Sequence, residues 1–205
     1  MLLYHYPEIF GKRSLQILAD YGSFTQVNPH QNWNLIERVV EWVDLAGREK
    51  VLDLFCGSGN LTLPLAQRAG KVWGVDRDER AIRKAAENAG VNGLINCTFI
   101  KARTEEGIGR ILQETDSIDV AVLDPPRAGA REALDVLTLL GPKKILYVSC
   151  EPPTLARDLA RLRALGYSVK RIQPLDMFPQ TYHMEVIAEL SAISGKHSAK
   201  AKDKI

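Results

Sequence analysis

The sequence predicts an α/β fold in which helices cover both faces of a doubly wound, mostly parallel sheet of seven strands. From residue 50 onward, short apolar runs alternate regularly with stretches of helical periodicity. Each run is apolar along most of its length, which is typical of parallel strands that are buried on both faces. Two further strand-like pieces follow each other near the end, and they predict an antiparallel hairpin there.

The elements can be placed in order along the chain. Strand-like runs lie at 51–55, 71–75, 97–100, 119–124 and 144–149. Helical patterns separate or follow them at about 59–69, 77–89, 104–114, 130–140 and 153–165. The pieces predicted to form the terminal hairpin are 167–174 and 184–190.

Residues 1–28 read as short strand-like pieces with turns at Gly11-Lys12 and Tyr21-Gly22. We expect this region to be the remnant of a larger upstream part. Asn28 and Pro29 predict a helix start, and Gly47 predicts its end. The main domain is then 29–190, and the polar, basic segment 191–205 is expected to be disordered.

Composition excludes several classes of protein. The chain has 205 residues, a net charge of +2 and three widely spaced cysteines. This pattern suggests neither a disulfide framework nor a metal site, and it fits a reducing cytoplasm. No apolar run approaches the roughly 18 residues of a membrane span. We expect a cytoplasmic monomer with no metal and no membrane partner, and bulk charge gives no argument for nucleic acid.

A glycine-containing turn follows the first strand of the main domain. Gly57 and Gly59 let the backbone turn tightly and approach a ligand closely. Asp76 ends the next strand, where a carboxylate can accept hydrogen bonds from both ribose hydroxyls of an adenosine. A strand-turn-helix without a ligand is the alternative, but this spacing favours ligand binding.

The identity of the ligand can be narrowed from the same segment. A dinucleotide fingerprint needs a third glycine, and Thr62 stands at that position. A phosphate-binding P-loop would need Gly-Lys-Ser/Thr, which is absent. Asp53, just before the turn, would repel a pyrophosphate but suits a ligand with a cationic amino acid end, such as S-adenosylmethionine.

Three residues at the ends of further strands could take part in catalysis. Asp124 precedes two prolines after the fourth strand, at the edge where open α/β sheets bind ligands. Cys150 ends the next strand, just before a helix that opens at Pro153, and the helix dipole is expected to lower the pKa of its thiol. Glu185 begins the last strand, where burial can raise the pKa of a carboxylate and suit it as a base. On pattern alone, however, a solvated strand-end residue is the favoured interpretation of Glu185.

Six ordered segments carry a resemblance to a known family. They are SFTQVN (23–28), DLFCGSGNLTLPLA (53–66), GVD (74–76), DPPRAG (124–129), YVSCEPPTLARDL (147–159) and DMFPQTYHMEV (176–186). Residues 21–190 resemble the catalytic domain of RNA uracil-C5 methyltransferases, which make 5-methyluridine in transfer and ribosomal RNA. The resemblance implies the fold of class I S-adenosylmethionine-dependent methyltransferases and an RNA partner.

The resemblance also implies roles for individual residues. Cys150 matches the nucleophile, which forms a covalent adduct with C6 of the uracil, and Glu185 matches the base that removes the C5 proton. The cofactor S-adenosyl-L-methionine would be held by Gln26, Phe55, Gly57, Gly59, Asn60, Asp76 and Asp124. The base must leave the RNA stack to reach these groups. Phe178 or Tyr182 could then stack on it.

The chain departs from the family pattern at several points. Glu151 follows the nucleophile where the family usually has Asn, and Arg103 lies where an acidic residue often contacts adenine. We expect the upstream RNA-binding region that family members usually carry to be missing. One alternative is therefore a cofactor-binding domain that is inactive without that region. Another is an RNA N-methyltransferase, since such enzymes also use an Asp-Pro-Pro loop but need no cysteine.

The second half of the chain carries a set of basic residues that could contact phosphates: Lys143, Lys144, Arg157, Arg161, Arg163, Lys170 and Arg171.

Overall fold

The computed structural model describes residues 2–8, 12–20, 26, 28–181 and 183–193. Within these residues the strands are β1 (Leu2–Tyr6), β2 (Leu15–Ala19), β3 (Lys50–Leu54), β4 (Lys71–Asp76), β5 (Cys97–Lys101), β6 (Val120–Leu123), β7 (Lys144–Ser149), β8 (Tyr167–Leu175) and β9 (Glu185–Ala192). The helices are α1 (Pro29–Val43), α2 (Thr62–Ala66), α3 (Glu79–Val91), α4 (Thr104–Ile111), α5 (Arg131–Leu137) and α6 (Pro152–Ala164), and a single 3-10 turn (Thr138–Leu140) follows α5.

Seven strands form the main sheet, in the order β5-β4-β3-β6-β7-β9-β8. Strands β3 to β7 pair in parallel, and β9 runs antiparallel to both β7 and β8. This confirms the predicted parallel sheet with a terminal antiparallel hairpin. The chain moves outward in one direction from β3 to β5 and returns to start β6 on the other side of β3. Such a reversal opens a crevice at the carboxyl ends of the central strands.

Apolar side chains pack on both faces of the sheet. One core lies between the sheet, α1, α2 and the β1–β2 hairpin, and the other lies under α4, α5 and α6. Along β3, Val51 belongs to the first core while Leu52 and Leu54 belong to the second. All three side chains are fully buried. Burial on both faces explains why the strands read as continuous apolar runs rather than as an alternation.

Helix α1 begins as predicted but ends early. Asn28 caps it by accepting a hydrogen bond from the N–H of Gln31 at 3.2 Å, and Pro29 occupies the first turn. The helix ends at Val43 rather than at Gly47, because Asp44 adopts a left-handed conformation with φ 53°. A residue with this backbone geometry closes a helix in the way that a C-terminal glycine does.

Helix α2 is also shorter than predicted. The pattern indicated a helix over about 59–69, whereas α2 spans Thr62–Ala66. The preceding residues form the turn that leaves β3, in which Gly59 has a φ of 95° that no helical residue adopts. The helical pattern therefore includes a ligand-facing turn as well as a helix.

The β1–β2 hairpin packs against α3. The side chain of Asn88 accepts a hydrogen bond from the N–H of Leu18 at 2.8 Å, and that of Asn92 donates one to the carbonyl of Gln16 at 2.7 Å. The hairpin is therefore fixed to the domain through backbone groups of β2. None of the helices in the described part of the chain has both the length and the apolar character that a membrane crossing requires.

Some predictions for the two ends fall outside the described residues. These include the turn at Tyr21-Gly22 and the segment from residue 194 onward. The last strand, β9, continues to Ala192, so regular structure extends two residues beyond the boundary predicted at 190.

Candidate active site

A cleft of about 810 Å³ opens at the carboxyl ends of β3, β4 and β6. The turn after β3, the start of α3, helix α1 and the β1–β2 hairpin contribute to its walls. Five of the predicted cofactor residues line it, namely Gln26, Phe55, Gly57, Asn60 and Asp124. The two others, Gly59 and Asp76, shape the adjoining turn and strand end. The topology thus brings together residues that lie almost 100 positions apart.

The turn after β3 has an unusual backbone. Phe55, Gly57 and Gly59 all have positive φ, at 64°, 53° and 95°. For a bulky residue such as Phe55 this conformation is uncommon and stores strain, which often marks a ligand site. Two hydrogen bonds hold the turn: Cys56 N–H donates to the carbonyl of Val75 at 3.1 Å, and Gly59 N–H donates to that of Cys56 at 2.9 Å.

Asp76 fixes the geometry between β4 and this turn. One carboxylate oxygen accepts a hydrogen bond from the N–H of Gly57 at 3.0 Å, and the other accepts one from the N–H of Asp78 at 2.9 Å. Each oxygen has a second lone pair that can accept from a ligand hydroxyl. The carboxylate is therefore oriented before any ligand binds.

Asp53, in strand β3, is a buried acid with incomplete hydrogen bonding. Its side chain is 1% exposed, and one oxygen accepts a hydrogen bond from the Thr62 hydroxyl at 2.5 Å. The other oxygen has no hydrogen-bond partner among the described residues. Burial raises its pKa to about 7, with further contributions from Asp124 and Asp76. A buried carboxylate of this kind is well suited to a cationic ligand group.

Cys150 and Glu185 meet where β7 ends and β9 begins. Ser149 pairs with Val186 across the two antiparallel strands, so Cys150, one residue later, lies beside Glu185, one residue earlier. The Cys150 side chain is half-buried, and Glu185 is only 4% exposed. A nucleophile and a carboxylate are thus brought to one edge of the sheet by the register of a single strand pair.

The acids at this edge affect one another. Burial, followed by Asp124, raises the pKa of Glu185 to about 8. Burial alone raises the pKa of Asp124 to about 6. Burial, followed by the charges of Glu185 and Asp124, raises the pKa of the Cys150 thiol above its ordinary value. The three groups therefore behave as a coupled set in which full ionisation is unfavourable.

The predicted lowering of the Cys150 pKa is therefore wrong for this structure. Helix α6 begins with Pro152 and Pro153, which lack the backbone N–H groups that carry the positive end of the dipole. The two carboxylates that act most strongly on the thiol lie on other strands. Glu151, the adjacent residue, caps the helix through its backbone, and its N–H donates to the Ser149 hydroxyl at 3.1 Å.

Sequence reasoning missed Tyr6 and Asn32. Tyr6 of β1 donates its hydroxyl hydrogen to Asn60 Oδ1 at 2.6 Å, and Asn32 of α1 exchanges two amide hydrogen bonds of 2.9 Å with Asn60. Asn32 is a buried polar residue on the otherwise apolar face of α1, and this position was the one signal available in the sequence. Nothing in the sequence pattern indicated Tyr6.

A model of the tRNA (uracil-5-)-methyltransferase family matches residues 9–192 of the chain. The chain belongs to this family. Its relatives include proteins from Klebsiella pneumoniae and Photobacterium angustum that are named 23S rRNA (uracil(1939)-C(5))-methyltransferase RlmD. The one from Klebsiella pneumoniae is 43% identical over 171 residues, which is 83% of this chain but 39% of the relative. The one from Photobacterium angustum is 43% identical over 162 residues, or 79% of this chain and 74% of the relative.

A solved structure of another family member shows the same fold. It is the Pyrococcus abyssi tRNA (uracil-54, C5)-methyltransferase in complex with S-adenosyl-L-homocysteine. The two structures agree with a TM-score of 0.73 over 92% of this chain and 44% of that chain, at 33% identity. The fold is that of class I S-adenosylmethionine-dependent methyltransferases, as the sequence predicted. The chain spans about two fifths of the Klebsiella relative and less than half of this archaeal one.

The remaining residues singled out in the sequence are two aromatic residues expected to stack on the base and the arginine that departs from the family pattern. Phe178 packs against the first core and makes an edge contact with the ring of His183, with 6.0 Å between ring centroids. Tyr182, the other residue predicted to stack on a base, lies outside the described residues. Arg103 is exposed and forms ion pairs with Glu132 at 3.3 Å and Glu105 at 3.9 Å.

The basic residues of the second half are distributed over the start of β7, helix α6 and strand β8. Lys143 and Lys144 lie at the start of β7, at the opposite end of that strand from Cys150. Most of the set is engaged within the protein, in ion pairs of Lys143 with Asp119, Lys144 and Arg171 with Glu189, Arg157 with Asp158, and Arg161 with Asp135. Their phosphate contacts stay a prediction.

The described residues hold no cluster of three or more His, Cys, Asp or Glu side chains that could bind a metal ion. Cys56, Cys97 and Cys150 are all free thiols. Cys56 is buried in the turn after β3, and burial raises its pKa well above the ordinary value. Cys97 opens β5. Of the three, Cys150 is both partly exposed and placed at the carboxyl ends of the parallel strands, where the candidate site lies.

Proposed function

We propose that this chain is the catalytic domain of an RNA methyltransferase that transfers a methyl group from S-adenosyl-L-methionine to C5 of a uridine in RNA. The observation that carries the proposal is the placement of Cys150 beside Glu185, with Asp124 close enough to shift the pKa of both. The relatives support the substrate class, because their names specify uracil C5 in ribosomal or transfer RNA.

The cleft has features that suit S-adenosylmethionine. Its volume of about 810 Å³ is ample for an adenosine joined to an amino acid. Asp76 presents oriented acceptors for ribose hydroxyls, and the unpartnered oxygen of Asp53 suits a cationic amino acid end. Gln26, Phe55, Gly57, Gly59, Asn60 and Asp124 complete the proposed cofactor set. When bound, the cofactor supplies an electrophilic methyl group on a sulfonium.

Cys150 would act as the covalent nucleophile. Uracil C5 is too weak a nucleophile to be methylated unaided, so the Cys150 thiol first loses its proton to solvent and its sulfur bonds to C6. The C5–C6 double-bond electrons then move onto the ring carbonyl to give an enolate. Electron density would return to C5, which would bond to the methyl group as the methyl–sulfur bond breaks; its electrons would stay on sulfur, and S-adenosylhomocysteine would be the leaving group.

Glu185 would complete the reaction as a general base. It removes the remaining hydrogen of C5 as a proton, and the C–H electrons re-form the C5–C6 double bond. The bond between C6 and sulfur breaks in the same elimination, which regenerates the Cys150 thiolate. A base with a pKa of about 8 is matched to this task near neutral pH.

The reaction would also require an accessible uridine and a reduced Cys150. A uridine stacked within RNA cannot expose both faces, so the base would be flipped out of the stack toward Cys150. The reaction requires a reduced Cys150, which fits a cytoplasmic enzyme. We propose residues 29–190 as the methyltransferase domain, acting as a monomer, with residues 1–28 contributing a segment that contacts the cofactor.

The test is transfer of labelled methyl groups to unmodified total RNA, with analysis of the product nucleosides. We expect 5-methyluridine from the wild type, none from Cys150→Ala, and near-normal amounts from Cys97→Ala as a matched control. Full activity of Cys150→Ala would favour an N-methyltransferase instead. If cofactor binding persists but even the wild type transfers no methyl group, the chain is a cofactor-binding domain that needs a further region to bring RNA.

A further inference from the structure

We propose that Tyr6 and Asn32 are positioning residues that lock the side-chain amide of Asn60, so that its available N–H points to the carboxylate of the bound cofactor. This inference rests on the proposed function, and it adds the β1–β2 hairpin to the cofactor site. The three residues come from β1, from α1 and from the turn after β3, and all three line the cleft.

The hydrogen-bond geometry fixes the orientation of each group. The Tyr6 hydroxyl lies 2.6 Å from Asn60 Oδ1 and 3.3 Å from Asn32 Nδ2, so it donates to the first and accepts from the second. Asn32 Nδ2 also donates to Asn60 Oδ1, and Asn60 Nδ2 donates back to Asn32 Oδ1, both at 2.9 Å. The three side chains form a closed network.

The network leaves one N–H of Asn60 available to a ligand. Asn60 Oδ1 accepts two hydrogen bonds, which fills its capacity. The amide nitrogen of Asn32 and the hydroxyl of Tyr6 both donate inside the network. One amide hydrogen of Asn60 has no acceptor among the described residues and belongs to a side chain that lines the cleft. The network therefore presents a hydrogen-bond donor at this point.

A neutral hydrogen-bond donor on Asn60 suits the carboxylate of the cofactor. The acids Asp53, Asp76 and Asp124 lie close enough to one another to raise the pKa of Asp53, and they suit the hydroxyl and cationic groups of the cofactor. They would repel its carboxylate, which needs donors instead. An amide held in one orientation can donate to that carboxylate without a cation that would compete for the neighbouring acids. Locking the amide in advance also lowers the entropic cost of binding.

The β1–β2 hairpin makes this arrangement possible. Tyr6 lies 54 positions before Asn60 and is buried, with its ring at the edge of Trp33 and 6.4 Å between the ring centroids. Burial raises the pKa of Tyr6 to about 12, so its hydroxyl keeps its hydrogen for Asn60 throughout the neutral range. The hairpin itself is held on α3 by Asn88 and Asn92.

The inference can be tested by calorimetry with two ligands that differ in one group. S-adenosylhomocysteine carries the carboxylate, and its decarboxylated analogue lacks it. For Tyr6→Phe we expect the affinity for S-adenosylhomocysteine to fall about five-fold, as for the loss of one hydrogen bond, with less than about two-fold change for the analogue. Asn60→Asp, which replaces the donor with a second carboxylate, should show the same selectivity more strongly.

Tyr4→Phe is the matched control, because Tyr4 lies on the same strand and lines the cleft but takes no part in the network. It should leave the ratio of the two affinities unchanged. If Tyr6→Phe weakens both ligands equally, or neither, the network only shapes the cleft and the inference is wrong. A wild-type protein that binds neither ligand would remove the proposed cofactor, and this inference with it. Thermal unfolding of each variant confirms that it is folded.

Discussion

Asp158 of α6 accepts a hydrogen bond from the backbone N–H of Ala130 at 2.8 Å, across 28 positions of sequence. The same carboxylate oxygen accepts one from the Tyr147 hydroxyl at 2.6 Å, and Asp158 is fully buried. Ala130 closes the loop that begins at Asp124, and α6 begins just after Cys150. One buried carboxylate thus fixes the two loops of the proposed chemical site relative to each other.

Removing this carboxylate should destabilise the protein strongly. Asp158→Ala leaves the buried Tyr147 hydroxyl without an acceptor, removes one of the two acceptors of the Ala130 N–H, and leaves Arg157 without its ion pair. We expect a loss of about 3 kcal/mol in the free energy of unfolding, measured with urea. Asp135→Ala, which breaks an exposed pair with Arg161, is the control and should cost less than about 1 kcal/mol. Equal effects of the two substitutions would contradict this role.

Glu185 should make the folded protein less stable as pH rises. Its pKa is about 8 when folded and near its ordinary value of 4.5 when unfolded, so between these values the folded state binds more protons. Stability therefore falls as pH rises through this window. Glu185→Gln should be more stable than the wild type at pH 8, on the order of 5 °C in Tm, with little difference at pH 5.

The control for this pH dependence is Glu37→Gln on the exposed face of α1. It should follow the wild-type curve at both pH values. If Glu185→Gln is as stable as the wild type at pH 8, or less stable, burial of an ionised Glu185 is not costly. A stabilising change at a residue needed for chemistry is the expected trade-off at an active site.

Glu185→Gln should also trap the reaction before product release. Without a base the C5 proton remains, the elimination fails, and methylated RNA stays bonded to Cys150. A band that carries both protein and labelled methyl should appear on a denaturing gel. The double variant Cys150→Ala with Glu185→Gln should give no such band. Rapid release of methylated RNA by Glu185→Gln alone would assign the proton to another base.

Cofactor affinity should rise with pH through the ionisation of Asp53. Its pKa is about 7 in the folded protein, and its ionised form attracts a cationic ligand. Binding of S-adenosylhomocysteine should therefore strengthen several-fold between pH 5.5 and 7. Asp53→Asn should bind more weakly at pH 7 and show a smaller rise, whereas Asp116→Asn, which is exposed, should behave as the wild type. A wild-type affinity that is flat over this range would exclude a direct role of the Asp53 charge.

Much of the site could be predicted from the sequence because its residues are next to features with strong local patterns. Gly57 and Gly59 follow an apolar strand, and their positive φ values are a local requirement of the turn. Asp124 and Cys150 end two further strands, so the topology of a parallel sheet alone places them at one edge. Residues that reach the cleft from outside this pattern, such as Tyr6, could not be found in that way.

The sequence by itself determined the α/β fold, the order of its strands along the chain, the family and the identity of the proposed nucleophile. Each follows from hydrophobic periodicity or from short ordered motifs, which are properties of neighbouring residues. Only the tertiary structure decided the ionisation of Cys150, because it depends on the burial of the thiol and on Glu185 and Asp124 from other strands. The same holds for the Tyr6–Asn32–Asn60 network, since its hydrogen bonds form between elements that only folding brings together.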